Sequence, residues 1–102
     1  MGRSRLELHQ LLCDILGTPY CYFQPDTNIK LRYPCIVYER STGDTRFAGN
    51  APYTFTKRYT VTVIDPDPDS LIPDKIAALP MCKFDRSYTA DNLCHDVFNI
   101  YF

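Results

Sequence analysis

The segment from Val63 to Lys75, VIDPDPDSLIPDK, holds the densest set of side chains that could do chemistry in this 102-residue chain. Acids and prolines alternate in it, at Asp65, Pro66, Asp67, Pro68 and Asp69. Alternate carboxylates begin the ligand set of a calcium loop, which also requires glycine at the sixth position and glutamate at the twelfth. Ser70 and Ile76 stand there instead, and the prolines hold the chain extended. The segment therefore predicts a strand-to-helix junction, with Asp69 or Ser70 as the N-cap, and no cation site.

Histidines and cysteines supply the other groups that could bind a metal or attack a substrate. The five cysteines form no C-x-x-C pair, and most have apolar neighbours, which indicates reduced core thiols. His9 lies within a helical pattern, while Cys94 and His95 are adjacent in a predicted strand and should point to opposite faces. Neither a zinc-type ligand set nor a nucleophile or nucleotide-binding motif is present. The sequence predicts no metal, no cofactor and no enzymatic activity.

The composition is that of one globular domain spanning residues 1–102, with 45% hydrophobic and 23% charged residues. Its net charge of −1 argues against a basic nucleic-acid-binding face. Its apolar runs all fall short of the ~20 residues that would span a bilayer, so no membrane association is expected.

Periodicity predicts two helices and a set of strands. Leucines and isoleucines spaced for one helical stripe run through Ser4–Leu16, and Gly17 should end that helix. The remaining predicted elements are an edge strand at Tyr20–Phe23, strands at Tyr33–Arg40 and Thr54–Asp65, a helix over 70–80, and a hairpin of Lys83–Tyr88 with Leu93–Phe102. Because the strand at 54–65 alternates apolar and polar residues, one of its faces should be wet, which favours antiparallel pairing. We expect an α+β fold: an antiparallel β-sheet with two helices packed on one face.

The connection Ser41–Tyr53 between the two central strands is too long for a tight hairpin, and should be either an extended β-arm or a mobile loop. Arg46, Phe47, Tyr53 and Phe55, in and beside it, are the residue types that interface centres favour. Alternatively, Phe47 and Tyr53 fold back onto their own sheet.

Two further groups are candidate contacts. Arg58 is either a solvated strand end or the partner of acids such as Asp67 and Asp69 on a neighbouring molecule. The C-terminal strand is apolar on both faces, so its aromatic residues should be buried in the core or against a partner; they include Phe98, Tyr101 and Phe102.

Several strings of this sequence are similar to a known class of viral proteins. The strings are LRYPCIVYERS, DTRFAGNAPY, YTVTVIDPDPDSLIPDKI and FDRSYTADNLCHDVFNIYF. Together they span about Leu31 to Phe102, and they resemble the tail-completion, tail-terminator and head–tail joining (neck) proteins of bacteriophages with long non-contractile tails.

The resemblance implies a non-enzymatic virion protein, made in the cytoplasm of the bacterial host. Such proteins form rings, commonly hexameric, between the phage tail-tube and head-connector proteins, and DNA passes through the lumen without specific binding. Rings close through contacts between unlike patches, and the expected pair is Arg46, Phe47 and Tyr53 on one subunit with the corner Asp65–Asp69 on the next. The alternative is a small phage or bacterial adaptor that binds a host protein as a monomer or dimer.

Overall fold

The structure is a computed structural model that describes residues 5–26, 28–41, 44–48, 51–56 and 58–102. For 44–48 and 51–56 it describes the backbone alone. The elements, in chain order, are α1 (Arg5–Leu16), β1 (Cys21–Phe23), β2 (Cys35–Arg40), β3 (Asp44–Ala48), β4 (Ala51–Thr56), β5 (Arg58–Asp65), α2 (Ile72–Ala77), β6 (Cys82–Ala90) and β7 (Leu93–Tyr101).

The predicted α+β class is confirmed. A five-stranded sheet has the order β1-β2-β5-β7-β6, and β3 pairs with β4 in a separate two-stranded sheet. The large sheet is not wholly antiparallel as expected, because β1 pairs with β2 in parallel, with Cys21 opposite Ile36. The chain between Phe23 and Cys35 crosses back before β2 begins, so the two strands run in the same direction.

The helix α1 forms where its leucine stripe predicted it. Leu8, Leu12 and Leu16 are buried on the sheet, because residues three and four apart share one helix face. Gly17 ends the helix in the left-handed conformation (φ 79°), and its N–H donates to the Cys13 carbonyl over 2.8 Å.

Both helices pack on one face of the central strands, as predicted. Ile76 of α2 joins the leucines of α1 in a single core. The strands contribute their inward-facing residues, Ile36, Tyr38, Tyr59, Val61, Val63, Phe98 and Ile100. This alternation buries every second residue of β5 up to Val63, and it leaves Thr60 and Thr62 half-exposed on the opposite face.

The C-terminal hairpin is tighter than its sequence suggested. Its turn consists of Asp91 and Asn92, both with positive φ (53° and 62°), between the paired residues Ala90 and Leu93. Two positive-φ residues in a two-residue loop match the twist of the flanking strands. The tight turn pairs β7 with β6 on one side, and on its other side β7 pairs with β5.

Candidate assembly surface

The segment predicted as an arm or loop contains a β-hairpin. β3 and β4 pair antiparallel from Asp44 opposite Thr56 to Ala48 opposite Ala51, with a register shift between Arg46 and Phe47. The hairpin continues the central β2–β5 pair, whose last matched residues are Arg40 and Tyr59. We call the segment from 44 to 56 the arm.

The arm packs little on the rest of the chain. Among the described elements, β3 and β4 pack substantially only on each other. The molecule measures 50 × 26 × 23 Å, and its radius of gyration of 14.5 Å exceeds the value of about 13 Å that a compact chain of this length has. The side chains of Arg46, Phe47, Tyr53 and Phe55 lie outside the described residues, so their contacts remain predictions.

A polar clamp fixes the base of the arm. The backbone N–H of Ser41 donates to the Arg58 carbonyl over 2.9 Å, and the Ser41 hydroxyl donates to the same carbonyl over 3.0 Å. The Arg58 guanidinium donates from Nε to the Ser41 hydroxyl over 3.0 Å. Arg58 therefore joins the two chain segments where the arm leaves the sheet, and it is more than a solvated strand end.

The alternating aspartates are held by their own backbone. The carboxylate of Asp65 accepts the N–H of Asp67 over 2.8 Å, and that of Asp67 accepts the N–H of Asp69 over 2.9 Å. These are two successive Asx turns, in which a side chain replaces a backbone acceptor. Asp65 is buried, with 7% of its surface exposed, whereas Asp67 and Asp69 are exposed. Of the predicted acidic contacts, only the latter two are open to a partner in the free chain.

The predicted N-cap is wrong by one or two residues. Leu71 occupies that position, without a side-chain cap, and Pro73 lies in the first helical turn. The Ser70 hydroxyl nevertheless accepts the N–H of Ile72 over 3.2 Å. The preceding Asx turns carry the chain one or two residues further than the sequence pattern indicates before the helix begins.

The aromatic residues of the C-terminal strand are mostly covered within the subunit. Phe98 is 1% exposed and Phe102 is 5% exposed, and both belong to the core cluster. Tyr101 is half-buried and lies opposite Arg58 in the β5–β7 ladder. Of the three predicted contacts, Tyr101 alone keeps substantial exposure in the free chain, because β7 presents Phe98 to the helices.

The edge strand β6 is an exposed surface that the sequence reasoning did not single out. Phe84 and Tyr88 are 53% and 45% exposed. Phe84 packs edge-on against Phe98, with ring centroids 5.5 Å apart, and Tyr88 stacks on His95 at 4.6 Å. A register shift follows Phe84, where Asp85 and Arg86 form an exposed ion pair of 3.2 Å. Bulges and charges on an edge strand oppose uncontrolled strand pairing.

The structure also brings together three side chains of types that can bind a metal, which the sequence reasoning treated separately. His9, Cys13 and Cys21 place one ligand atom each within 4.8 Å of one another. Part of this cluster could have been found in the sequence, because His9 and Cys13 are four residues apart and therefore lie on one helix face. The approach of Cys21 depends on how β1 packs beneath α1, and no pattern within one element encodes it.

All five cysteines are free. Burial raises the pKa of Cys35 to about 11, and burial also raises the pKa of Cys82. For Cys21 burial is the largest cause of a raised pKa, followed by the nearby Cys13. Because the thiolate is the reactive form, thiols with raised pKa values are poor nucleophiles at neutral pH.

Comparisons of this chain with protein-family models, curated proteins and solved structures find no match. Within the described residues, each helix is too short or too polar to cross a membrane.

Proposed function

We propose that this chain is a non-enzymatic structural subunit of a long-tailed bacteriophage, which forms a ring at the head–tail junction. There it ends the tail tube and docks it to the head connector. The observation that carries the proposal is the arm, a two-stranded hairpin that continues the central strands beyond the body of the subunit. The sequence resemblance between Leu31 and Phe102 supports the same assignment, and it includes the arm.

The two predicted contact patches lie at opposite ends of β5. The arm leaves the sheet at Arg58, and the acidic corner begins at Asp65, seven residues along the same strand. At about 3.3 Å per residue the two ends are about 23 Å apart, and the arm continues β5 in the direction away from the corner. The arm of one subunit can therefore reach an acidic corner only on another subunit. Contact between unlike patches on successive copies is the arrangement that closes into a ring.

The charges and the aromatic residues contribute differently to such a contact. Exposed ion pairs stabilise by about 0–1 kcal/mol each, so a pair of Arg46 with Asp67 or Asp69 sets orientation and register more than affinity. Most of the binding free energy falls to the arm aromatics Phe47 and Tyr53, since buried aromatic anchors dominate interfaces. Asp65, Phe98 and Phe102 support the subunit from within and are not part of the proposed contact.

The near-neutral charge of the chain suits a ring through which DNA passes. Non-specific affinity for DNA comes mainly from lysine and arginine side chains that neutralise phosphates. With 11 basic and 12 acidic residues, the chain has no excess of positive charge with which to retain the passing duplex. The ring would therefore let the DNA pass without retaining it through non-specific contacts.

Electron microscopy of purified virions or induced-prophage particles, with the neck reconstructed, tests this function. The expected result is a ring of this chain between tail tube and connector, with the arm of each subunit on its neighbour. Absence of the chain from intact particles, while infected cells still make it, would overturn the proposal. That outcome would favour the adaptor that binds a host protein.

A further inference from the structure

The cluster of His9, Cys13 and Cys21 lies where the end of α1 meets the first strand of the sheet. His9 and Cys13 are four residues apart on α1, so their side chains project from one helix face. Gly17 then reverses the chain, and Cys21 opens β1 beneath the helix. The helix α1 and the short strand β1 thus place three potential metal-ligand atoms within 4.8 Å of one another.

The spacing of these donors is close to that of a tetrahedral metal site. Zinc bonds of about 2.3 Å to sulfur and about 2.0 Å to nitrogen separate tetrahedral ligand atoms by about 3.5–3.8 Å. The donors here lie at most 4.8 Å apart, so the widest gap must close by about 1 Å, which side-chain rotation can supply. Two thiols and an imidazole are donors that zinc prefers over the carboxylates favoured by calcium.

The imidazole of His9 is already oriented by a buried phenol. Its Nδ1 lies 2.7 Å from the hydroxyl of Tyr38, a fully buried residue, and Arg5 donates to the same hydroxyl over 3.4 Å. In the tautomer whose Nδ1–H donates to Tyr38, Nε2 is unprotonated and would be the nitrogen that binds an ion. Metal-ligating histidines commonly have their second nitrogen hydrogen-bonded in this way, which fixes the tautomer and the ring orientation.

An open depression gives access to the cluster. Its volume is about 590 Å³, and it is lined by His9, Gln10, Cys13, Asp14, Gly17, Thr18 and Pro19. Cys21 is buried at the base of α1, whereas His9 and Cys13 are half-buried. An ion could enter from this side and keep a water molecule in a fourth position facing solvent.

We propose that His9, Cys13 and Cys21 bind one thiophilic divalent cation, of which zinc is the best match, with the fourth position open to the depression. Binding releases the protons of both thiols to solvent, because the thiolate is the ligand. The bound ion would link α1 to β1. The proposed metal site does not depend on the proposed ring.

The test uses the full-length chain, reduced and freed of metal, titrated with Zn²⁺ by calorimetry and with Co²⁺ by absorption spectroscopy. We expect one equivalent of either ion to bind and cobalt to show thiolate charge-transfer bands. Cys13→Ser should weaken Zn²⁺ binding by more than about 100-fold, beyond the 10–100-fold loss typical when a supporting hydrogen bond is removed. Tyr38→Phe should fall within that lower range and keep the charge-transfer bands, since Tyr38 positions His9 without touching the ion.

Cys82→Ser is the matched control, because Cys82 is also a half-buried cysteine packed against the core. It should bind Zn²⁺ as the unmodified chain does. Circular dichroism and melting in the presence of a chelator establish that each variant is folded. Absence of stoichiometric binding by the folded, reduced chain, or equal affinity of Cys13→Ser and Cys82→Ser, would overturn the proposal.

Discussion

Shortening the arm should abolish assembly of the proposed ring and still allow the chain to fold. Sixteen residues connect Ser41 to Arg58, and deletion of Thr45–Pro52 removes half of them. The deletion leaves intact the core between the helices and the five-stranded sheet, which is built from residues before Ser41 and after Arg58. It also leaves the Ser41–Arg58 clamp able to close the shortened connection.

The expected change in stability is small because two opposing contributions are both small. An isolated two-stranded hairpin is marginally stable at best, so little folding free energy is lost with β3 and β4. Halving the connection reduces the entropic cost of closing it by about 0.6 kcal/mol. The net effect should stay within about 1 kcal/mol, which for a domain of this size shifts the melting temperature by at most about 4–8 °C.

The assay pairs thermal unfolding of the purified variant with its incorporation into particles, in a phage carrying the deletion and complemented with the unmodified gene as control. We expect a folded monomer with a nearly unchanged melting temperature, together with loss of the neck ring. If the variant fails to fold, or melts far below that range, the arm aromatics belong to the core of their own subunit. If it folds and still enters the ring, the arm is not the assembly contact.

Two further predictions concern the body of the subunit. Phe98→Ala should lower the free energy of unfolding of the isolated chain by about 3–5 kcal/mol in a denaturant titration, because Phe98 is fully buried, whereas Phe84→Ala on the exposed edge should cost much less. Equal effects would show that Phe98 is not a core residue. Burial and, secondarily, Asp74 raise the pKa of Asp96, so its ionised form opposes folding and stability falls as pH rises through the folded-state pKa. Asp96→Asn should therefore raise the melting temperature at pH 7, with the difference vanishing below about pH 3, where the carboxyl is protonated in both states. A pH-independent difference would contradict this.

Features that depend on the residues of a single helix, strand or turn could be predicted from the sequence. The leucine stripe and Gly17 define α1. The strand predicted over Thr54–Asp65 is wrong at its start, because residues 54–56 belong to β4, but its alternation from Arg58 to Val63 gives the buried and wet faces of β5. The prolines among the aspartates correctly predicted that this segment links a strand to a helix. In each case the signal and the structure lie within about a dozen residues, where backbone sterics and side-chain periodicity act directly.

Features that depend on packing between distant segments could not be predicted in this way. The parallel pairing of β1 with β2 depends on the path taken between Phe23 and Cys35, which carries no periodic signal. The burial of Asp65 depends on where β5 ends relative to the core, and its Asx turn satisfies the carboxylate there. The proximity of Cys21 to α1 is likewise a property of the folded chain.

Tyr38 connects the two proposed sites through a chain of direct contacts. Its hydroxyl meets His9 at 2.7 Å, and its ring lies 6.2 Å from that of Tyr59, centroid to centroid. Tyr59 directly follows Arg58, the residue that clamps the base of the arm. The arm connects β2 to β5, so its base at Arg58 adjoins the strands that contribute Tyr38 and Tyr59 to the core. A cation that fastened α1 to β1 would brace this core at His9, whereas the ring contact would act on it through Arg58.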